Sequence, residues 1–517
     1  QTPNPKPQTP NPQPQTPKVG SLNLDTFSIL SNQMSRKDLG INDVPKIDEV
    51  RRSEIHAHAE SLPASDDEGE KDPLMPIHRS SHKSDRHSAA ETYRTVTEVS
   101  VDAQGKKKET MRSSTAQAAF NLFRSIVGTT FLAIPFICEL IGVKLLLFLA
   151  IFLLIAVFYG VYLIIEVADD LDYKGPSYEK LIVIVMKSPT VVNISKVMLV
   201  LLQVFKVVGH NLFIVEVLVH IFCRQGFQAK YCHSREFYVI CSFIISAPTY
   251  LILNISFYSY ISLGSVVSVT ALIAALIYSS ATQLIQKGFA PQRVPDFYKL
   301  PVAFSLITHS LQGIGMIMPI RSSMENKDNF RAVQKWVTLI VAVLYFSTAI
   351  ILALAFGVDI KPIVVLTFSK QYTVIFVLTI IYAVIVFLTY PLHLFPVYTI
   401  IINTRWCKRY ISAAPDHEEK NKRTKVVLYG SRLLCLIVIY AIVYPGPDFV
   451  AFLSLVGAVF ATTFLFIFPV LLYNKHFKEK GQLTEASHLF NLIFMWLMIA
   501  VAAYSAQDSI RHMFKRS

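Results

Sequence analysis

The sequence predicts an all-α integral membrane protein with eleven transmembrane helices. Three observations point there. The 517 residues are 52% hydrophobic and only 16% charged. Apolar runs near the roughly 20 residues that a bilayer demands recur from about residue 114 to the end. Two of those runs carry glycine and proline at mid-depth, where a buried soluble helix gains nothing from them. The net charge of +13 lies mainly in short loops between apolar runs, so it reads as topology and not as a nucleic-acid surface.

Taken in order, residues 1–113 form a tail that cannot build a core. It opens QTPNPKP, QTPNPQP, QTP, a proline-rich repeat expected to be extended and disordered. No apolar stretch at its start reads as a cleaved secretory leader. The run SDDEGEKDPLMP at Ser65 to Pro76 resembles an acidic dileucine sorting signal with methionine in the last place, built on Glu70, Leu74 and Met75. It favours an endolysosomal or vacuolar membrane, with the plasma membrane as the alternative. A cytosolic partner of the tail is a further expectation.

The eleven spans fall near 115–140, 143–166, 191–221, 237–253, 258–284, 299–321, 336–358, 371–402, 426–444, 447–473 and 488–507. With the tail in the cytosol, the inner loops carry the excess of Lys and Arg. The largest share comes from Arg405, Lys408, Arg409, Lys420, Lys422, Arg423 and Lys425, which fixes the orientation by the positive-inside rule.

Two stretches organise this array. The first is NLFRSIVGTTFLAIP, Asn121 to Pro135, and the second is QGIGMIMP, Gln312 to Pro319. A spanning helix must satisfy its own backbone, so paired interruptions signal unwound backbone around a solute cavity. The alternative for Gly128 alone is close approach of a neighbouring helix. Dividing the first ten spans into fives puts one interruption at the start of each half, with opposite orientation, as an inverted repeat requires. The segments are then 1–113 (tail), 114–285 (first repeat), 286–474 (second repeat) and 475–517 (eleventh helix and C-terminal tail).

Ionisable residues inside spans are functional candidates. His309 lies one turn before Gln312. Lys206, His210, Glu216 and His220 share one side of the third span, and Glu139 lies late in the first. His309, His210 and Glu139 are candidates for proton coupling, histidine because it titrates near neutrality. Lys206, Glu216 and Thr389 are candidates for the pathway. For His309 the alternative is a neutral histidine bonded to a carbonyl, and for Thr389 a proline-kinked helix whose freed carbonyl it bonds. Cys223 and Cys232 flank a short polar loop placed outside the cytosol and are candidates for a local disulfide. No nucleophile elbow, phosphate loop or metal-ligand spacing occurs in the membrane region, so an enzyme is not expected.

The runs at 121–135, FSLITHSLQGIGMIMPIRSSMENKDNF at 304–330, FLTYPLHLFPV at 387–397 and SLVGAVFATTFLFIFPVLLY at 454–473 resemble the amino acid/auxin permease family. They are most like its proton-coupled and vacuolar branches. The resemblance implies a LeuT-like arrangement, with an amino acid bound between broken first and sixth helices and a proton gradient as the driving force in place of any cofactor. Two departures stand out. Gly128, Thr129 and Thr130 replace the usual Gly-Thr-Gly, and Gln312 replaces the usual Glu. Free N–H groups near Thr129 to Phe131 are then expected to hold a carboxylate. Carbonyls around Ser125 to Val127 and Gln312 to Ile314 are expected to hold the ammonium. The substrate set is Ser125, Val127, Gly128, Thr129, Thr130, Gln312, Gly313, Ile314 and Gly315. The bulk of Thr130 favours small or medium neutral side chains, and the alternative for its hydroxyl is a bond to the preceding helical turn. Thr389 sits where related folds build a sodium site. Besides proton-coupled uptake, sodium coupling, uniport and an amino-acid sensor signalling through the tail remain open.

Overall fold

The computed structural model describes residues 113–513 apart from 176, 225–233, 252–256, 358–359 and 369–371. The tail and its sorting motif therefore lie outside the described residues, as does Cys232, and with it the expected pairing to Cys223. Regular structure among the described residues is helical, apart from an isolated bridge between Ser113 and Met324.

The chain enters at α1 (Thr115–Ile126), started by a capping box in which the Ser114 side chain and Gln117 satisfy each other's backbone N–H. A 3-10 turn, Thr129–Ala133, leads into α2 (Ile134–Ile141), with Pro135 in its first turn, where no donor is needed. Then follow α3 (Val143–Asp170), α4 (Tyr178–Met186), α5 (Pro189–Arg224), α6 (Arg235–Leu251) and α7 (Phe257–Lys287). The second interrupted segment is α8 (Leu300–Ser310) and α9 (Ile314–Ser323), followed by α10 (Phe330–Phe356) and α11 (Val364–Phe368). Next come α12 (Thr373–Leu388), α13 (Tyr390–Ile402), α14 (Arg405–Ser412) and α15 (His417–Val443). Last are α16 (Phe449–Val456), two π-helical turns (Gly457–Ala461 and Thr463–Ile467), α17 (Phe468–Glu479) and α18 (Glu485–Met513).

Among the described residues eight helices are long and apolar enough to cross a membrane, or up to nine if the bent pair α1 and Thr129–Ile141 counts as one span. This is a multi-pass membrane protein. The expected span at 371–402 resolves into two helices parted at Thr389, whose Oγ1 donates to Val386 O at 2.6 Å. The segment expected at 237–253 is the 17-residue α6 with Pro248 inside it. Large side chains such as Phe148, Ile155, Ile244 and Trp496 remain exposed, the outward face that lipid solvates.

Two glycines let backbones touch. A Cβ on Gly160 of α3 would stand 2.0 Å from Leu465 O, and one on Gly457 would stand 2.0 Å from Ser305 O. The π-helical stretch is thereby wedged between α3 and α8, the kind of contact small residues permit in lipid. At one end of the bundle Arg321 pairs with Asp169 and donates to Tyr173 O at 2.9 Å, while Arg331 reaches Asp169 at 2.6 Å and Glu166 at 2.8 Å. There, too, Ser113 N donates to Ser323 O at 2.8 Å and Glu325 N to Ser113 O at 3.1 Å. The beginning of α1 thus meets the end of α9, so the two interrupted segments run in opposite directions.

Candidate functional site

Helical bonding stops at the same depth in both segments. After Ile126, Val127 is extended (φ −75°, ψ 106°) and Gly128 more so (φ −133°, ψ −170°), and the axis bends by 51°. Among the described residues Val127 O and Gly128 N–H find no backbone partner, whereas Phe131 N–H closes back on Gly128 O at 3.4 Å. In the second segment Gln312 N donates to His309 O at 3.4 Å, but the carbonyls of Leu311 and Gln312 and the N–H of Gly313 find no backbone partner. The two interruptions touch. A Cβ on Gly313 would lie 2.7 Å from Ile126 Cγ1 and 3.5 Å from Ser125 Oγ.

Side chains around this contact are buried and under-bonded. Gln312 is 2% exposed, and among the described residues neither amide atom has a partner, nor does His309 Nδ1 or Ser305 Oγ. Most buried polar atoms in folded proteins are paired, so a cluster of unpaired ones marks a place that a polar guest completes. Thr129 and Thr130 are buried, and among the described residues neither hydroxyl bonds a helical carbonyl. The Ser125 hydroxyl differs, donating to Leu122 O at 2.8 Å. Phe131 stacks on Tyr345 at 5.8 Å and meets Tyr382 edge-on at 6.2 Å, and Tyr382 in turn packs on Phe213 at 5.8 Å. A small crevice beside Gly313, Leu311, Gln334 and Thr338 has room for no more than about one water.

The third helix of the bundle, α5, crosses behind this contact. Gln203 Nε2 would be 3.5 Å from a Cβ on Gly315, and Phe213 reaches the Phe131 aromatic group through Tyr382. Lys206 and His210 lie between, level with the interruptions. His210 meets His393 of α13 at 5.0 Å between rings and stacks on Tyr390 at 6.2 Å. The structure therefore brings Ser125 to Thr130 against Gln312 to Gly315, with His309 in the last turn of α8, and sets His210 against His393, one turn beyond Lys206 on α5. Glu139 and Glu216 stand apart. Glu139 pairs with Arg293 at 3.6 Å and Glu216 with Arg235 at 3.9 Å. Thr389 is engaged with its own helix, as given above.

Two interrupted antiparallel helices in contact at their breaks narrow the family. The sequence profile described as "Transmembrane amino acid transporter protein" matches residues 111–511. The chain belongs to that family. It is 28% identical over 312 residues to Vacuolar amino acid transporter 3 of Saccharomyces cerevisiae, covering 55% of this chain and 44% of that protein. It is 25% identical over 217 residues to Vacuolar amino acid transporter 4 of the same yeast, covering 39% of this chain and 30% of that one. Amino acid transporter AVT6E of Arabidopsis thaliana is 24% identical over 410 residues, covering 74% and 80%. The chain thus spans less than half the length of the two yeast relatives. The family is described as one of amino acid transporters.

Within this family member, several buried polar residues escaped sequence reasoning. Arg432 of α15 donates to Tyr250 O at 2.9 Å and lies 5.0 Å over the Tyr398 ring. Its position inside an apolar span was signal enough. Arg124 of α1 carried the same signal. Asn211 Oδ1 accepts from Tyr440 at 2.7 Å, and Tyr345 and Tyr382 back the first interruption; nothing in the sequence set these apart from ordinary apolar packing.

Proposed function

We propose that the protein is a secondary active transporter that carries small amino acids across its membrane by alternating access, driven by a proton gradient. One observation carries this: two helices lose their backbone ladder at the same depth, and the unpaired groups face each other. Gly128 N–H and the hydroxyls of Thr129 and Thr130 offer donors to a carboxylate. The carbonyls of Val127, Leu311 and Gln312 offer acceptors to an ammonium. Gly313, Ile314 and Gly315 shape the floor. An amino acid presents both groups on one carbon, which is the spacing a pair of abutting interruptions serves.

The antiparallel course of the two segments supports a LeuT-like 5+5 inverted repeat, 114–285 and 286–474. Counting the bent pair, α6, and α12 with α13 as one span each gives eleven, α18 being the accessory helix. Proton coupling is assigned to His210 and His309, whose Nδ1 atoms are buried without partners among the described residues. The two yeast relatives are named for vacuolar transport, and together with the acidic tail motif this favours an endolysosomal or vacuolar membrane with the N-terminus in the cytosol. The test is uptake by purified protein in liposomes, across the twenty amino acids, with and without an inward pH gradient. Gradient-dependent accumulation of at least one amino acid is expected; no uptake of any, with binding absent as well, refutes the function.

A further inference from the structure

The short helix α14, RWCKRYIS, joins α13 to α15 and is strongly two-sided. It packs on the charged beginning of α15. Arg423 Nη1 donates to Tyr410 O at 3.1 Å, and the same guanidinium lies 5.1 Å over the Tyr410 ring. About one turn further along α15, Val426 opens the exposed apolar face that continues through Leu433 and Ile437. One turn rises roughly 5 Å, so Tyr410 sits just outside the hydrocarbon, at headgroup depth.

The sides of α14 divide by chemistry. Ile411 is buried against the protein, while Trp406, 85% exposed, and Tyr410 stand one turn apart on an open aromatic side. Arg405, Lys408 and Arg409 are all exposed on the adjoining side, at the spacing of helical neighbours. Nearby carboxylates are spent: Asp416 caps α15 by accepting from Glu419 N at 2.7 Å, and Glu419 pairs with Arg423 at 3.1 Å. Among the described residues Arg405, Lys408, Arg409, Lys420, Lys422 and Lys425 have no carboxylate partner. Orientation in the bilayer explains charge in a loop. It does not require a tryptophan held open at headgroup depth, nor cations gathered beside an aromatic side of one helix. Those two features together are what an interfacial helix presents to acidic lipid.

We propose that α14 and the beginning of α15 form a binding surface for the headgroups of anionic phospholipids in their own leaflet. Arg405, Lys408 and Arg409 hold the phosphate and the charge beside it through charge-assisted hydrogen bonds. Trp406 and Tyr410 lie among the glycerol and upper acyl groups. The surface is independent of what the chain transports.

The experiment uses the full chain carrying Trp336→Phe and Trp496→Phe, which leaves Trp406 as the remaining one of 3 tryptophans. It is reconstituted in liposomes of phosphatidylcholine, alone or mixed with phosphatidylserine. Energy transfer is read from Trp406 to dansyl-labelled phosphatidylserine and, separately, to dansyl-labelled phosphatidylcholine. The serine lipid should be enriched about fivefold or more at Trp406, the worth of one cation at the surface, and the tryptophan should be shielded from aqueous acrylamide. Arg405→Gln, Lys408→Gln and Arg409→Gln combined should abolish the enrichment, while Arg405→Lys with Arg409→Lys should keep it. No enrichment with the parent protein overturns the proposal. Enrichment unchanged in the glutamine variant overturns it as well, since the lipid is then held elsewhere. A tryptophan open to acrylamide in both membranes overturns it and leaves the face to an acidic peptide. Should the glutamine variant misfold, salt titration of the parent protein decides: enrichment lost at high salt supports the surface, and enrichment indifferent to salt overturns it.

Discussion

Gly313→Ala is the sharpest probe of the abutting interruptions. Gly313 has φ −116° and Gly128 φ −133°, both open to any L-residue, so backbone strain plays no part at either. Space separates them. A Cβ on Gly313 meets Ile126 Cγ1 at 2.7 Å, while one on Gly128 has nothing within 4 Å. Ile126 is 6% exposed and β-branched, and its Cγ1 cannot swing aside without leaving a preferred rotamer. Overpacking of this kind costs about 1–3 kcal/mol, whereas Gly128→Ala should stay within about 0.5 kcal/mol of wild type. Ile126→Ala alone should cost about 2–5 kcal/mol. The double substitution should recover at least about 1 kcal/mol relative to the sum, because the clash is removed with the methylene. Thermal unfolding in detergent, calibrated by denaturant titration, measures all four proteins. Uptake adds the functional half: Gly128→Ala should fold normally yet transport less, since its methyl enters the space kept for substrate. Strict additivity of the double substitution, or an unperturbed Gly313→Ala, would refute direct contact between the interruptions.

Other consequences follow from the same packing. Gly457→Ala drives a methyl to within 2.0 Å of Ser305 O and should lower stability by about 1–3 kcal/mol. Gly430→Ala, with nothing within 4 Å, should be neutral or slightly stabilising in the same melting series. Gln312→Leu removes an amide whose two polar atoms are unpaired; folding should be unharmed and uptake reduced about tenfold or more, the loss of one hydrogen bond to a charged group. Arg321→Met strips Asp169 of one of its two arginines and removes the hydrogen bond donated to Tyr173 O. A loss of about 1–3 kcal/mol is expected, smaller when Asp169→Asn is combined with it, as a double-substitution cycle would show.

The interruptions were legible because backbone chemistry announces itself locally. Glycine and proline inside an apolar run leave few ways to keep a helix intact, so Gly128 and Gly313 marked the two sites to within a residue. The 3-10 turn that spends Phe131 N–H on Gly128 O was not legible, since a free amide and a tightened turn demand the same residues. The division of the expected eighth span at Thr389 was hidden too. Pro391 was compatible with a kink, and packing against α5 decided that α12 and α13 part there.

Side-chain partnership was the least legible layer. Glu139, Glu216 and Lys206 all read as intramembrane charges of equal standing. A loop brought Arg293 to Glu139 and the start of α6 brought Arg235 to Glu216, and none of the described elements brought a carboxylate to the lysine. By itself the sequence determined the helical membrane architecture, the depth of both interruptions and the family, because each follows from periodicity, composition or a contiguous motif. Only the tertiary structure decided that Gly313 touches Ile126 and that His210 meets His393. Those groups come from four segments of chain whose crossing is set by close contacts such as Gly457 on Ser305, and helix crossing angles are written in no single stretch of chain.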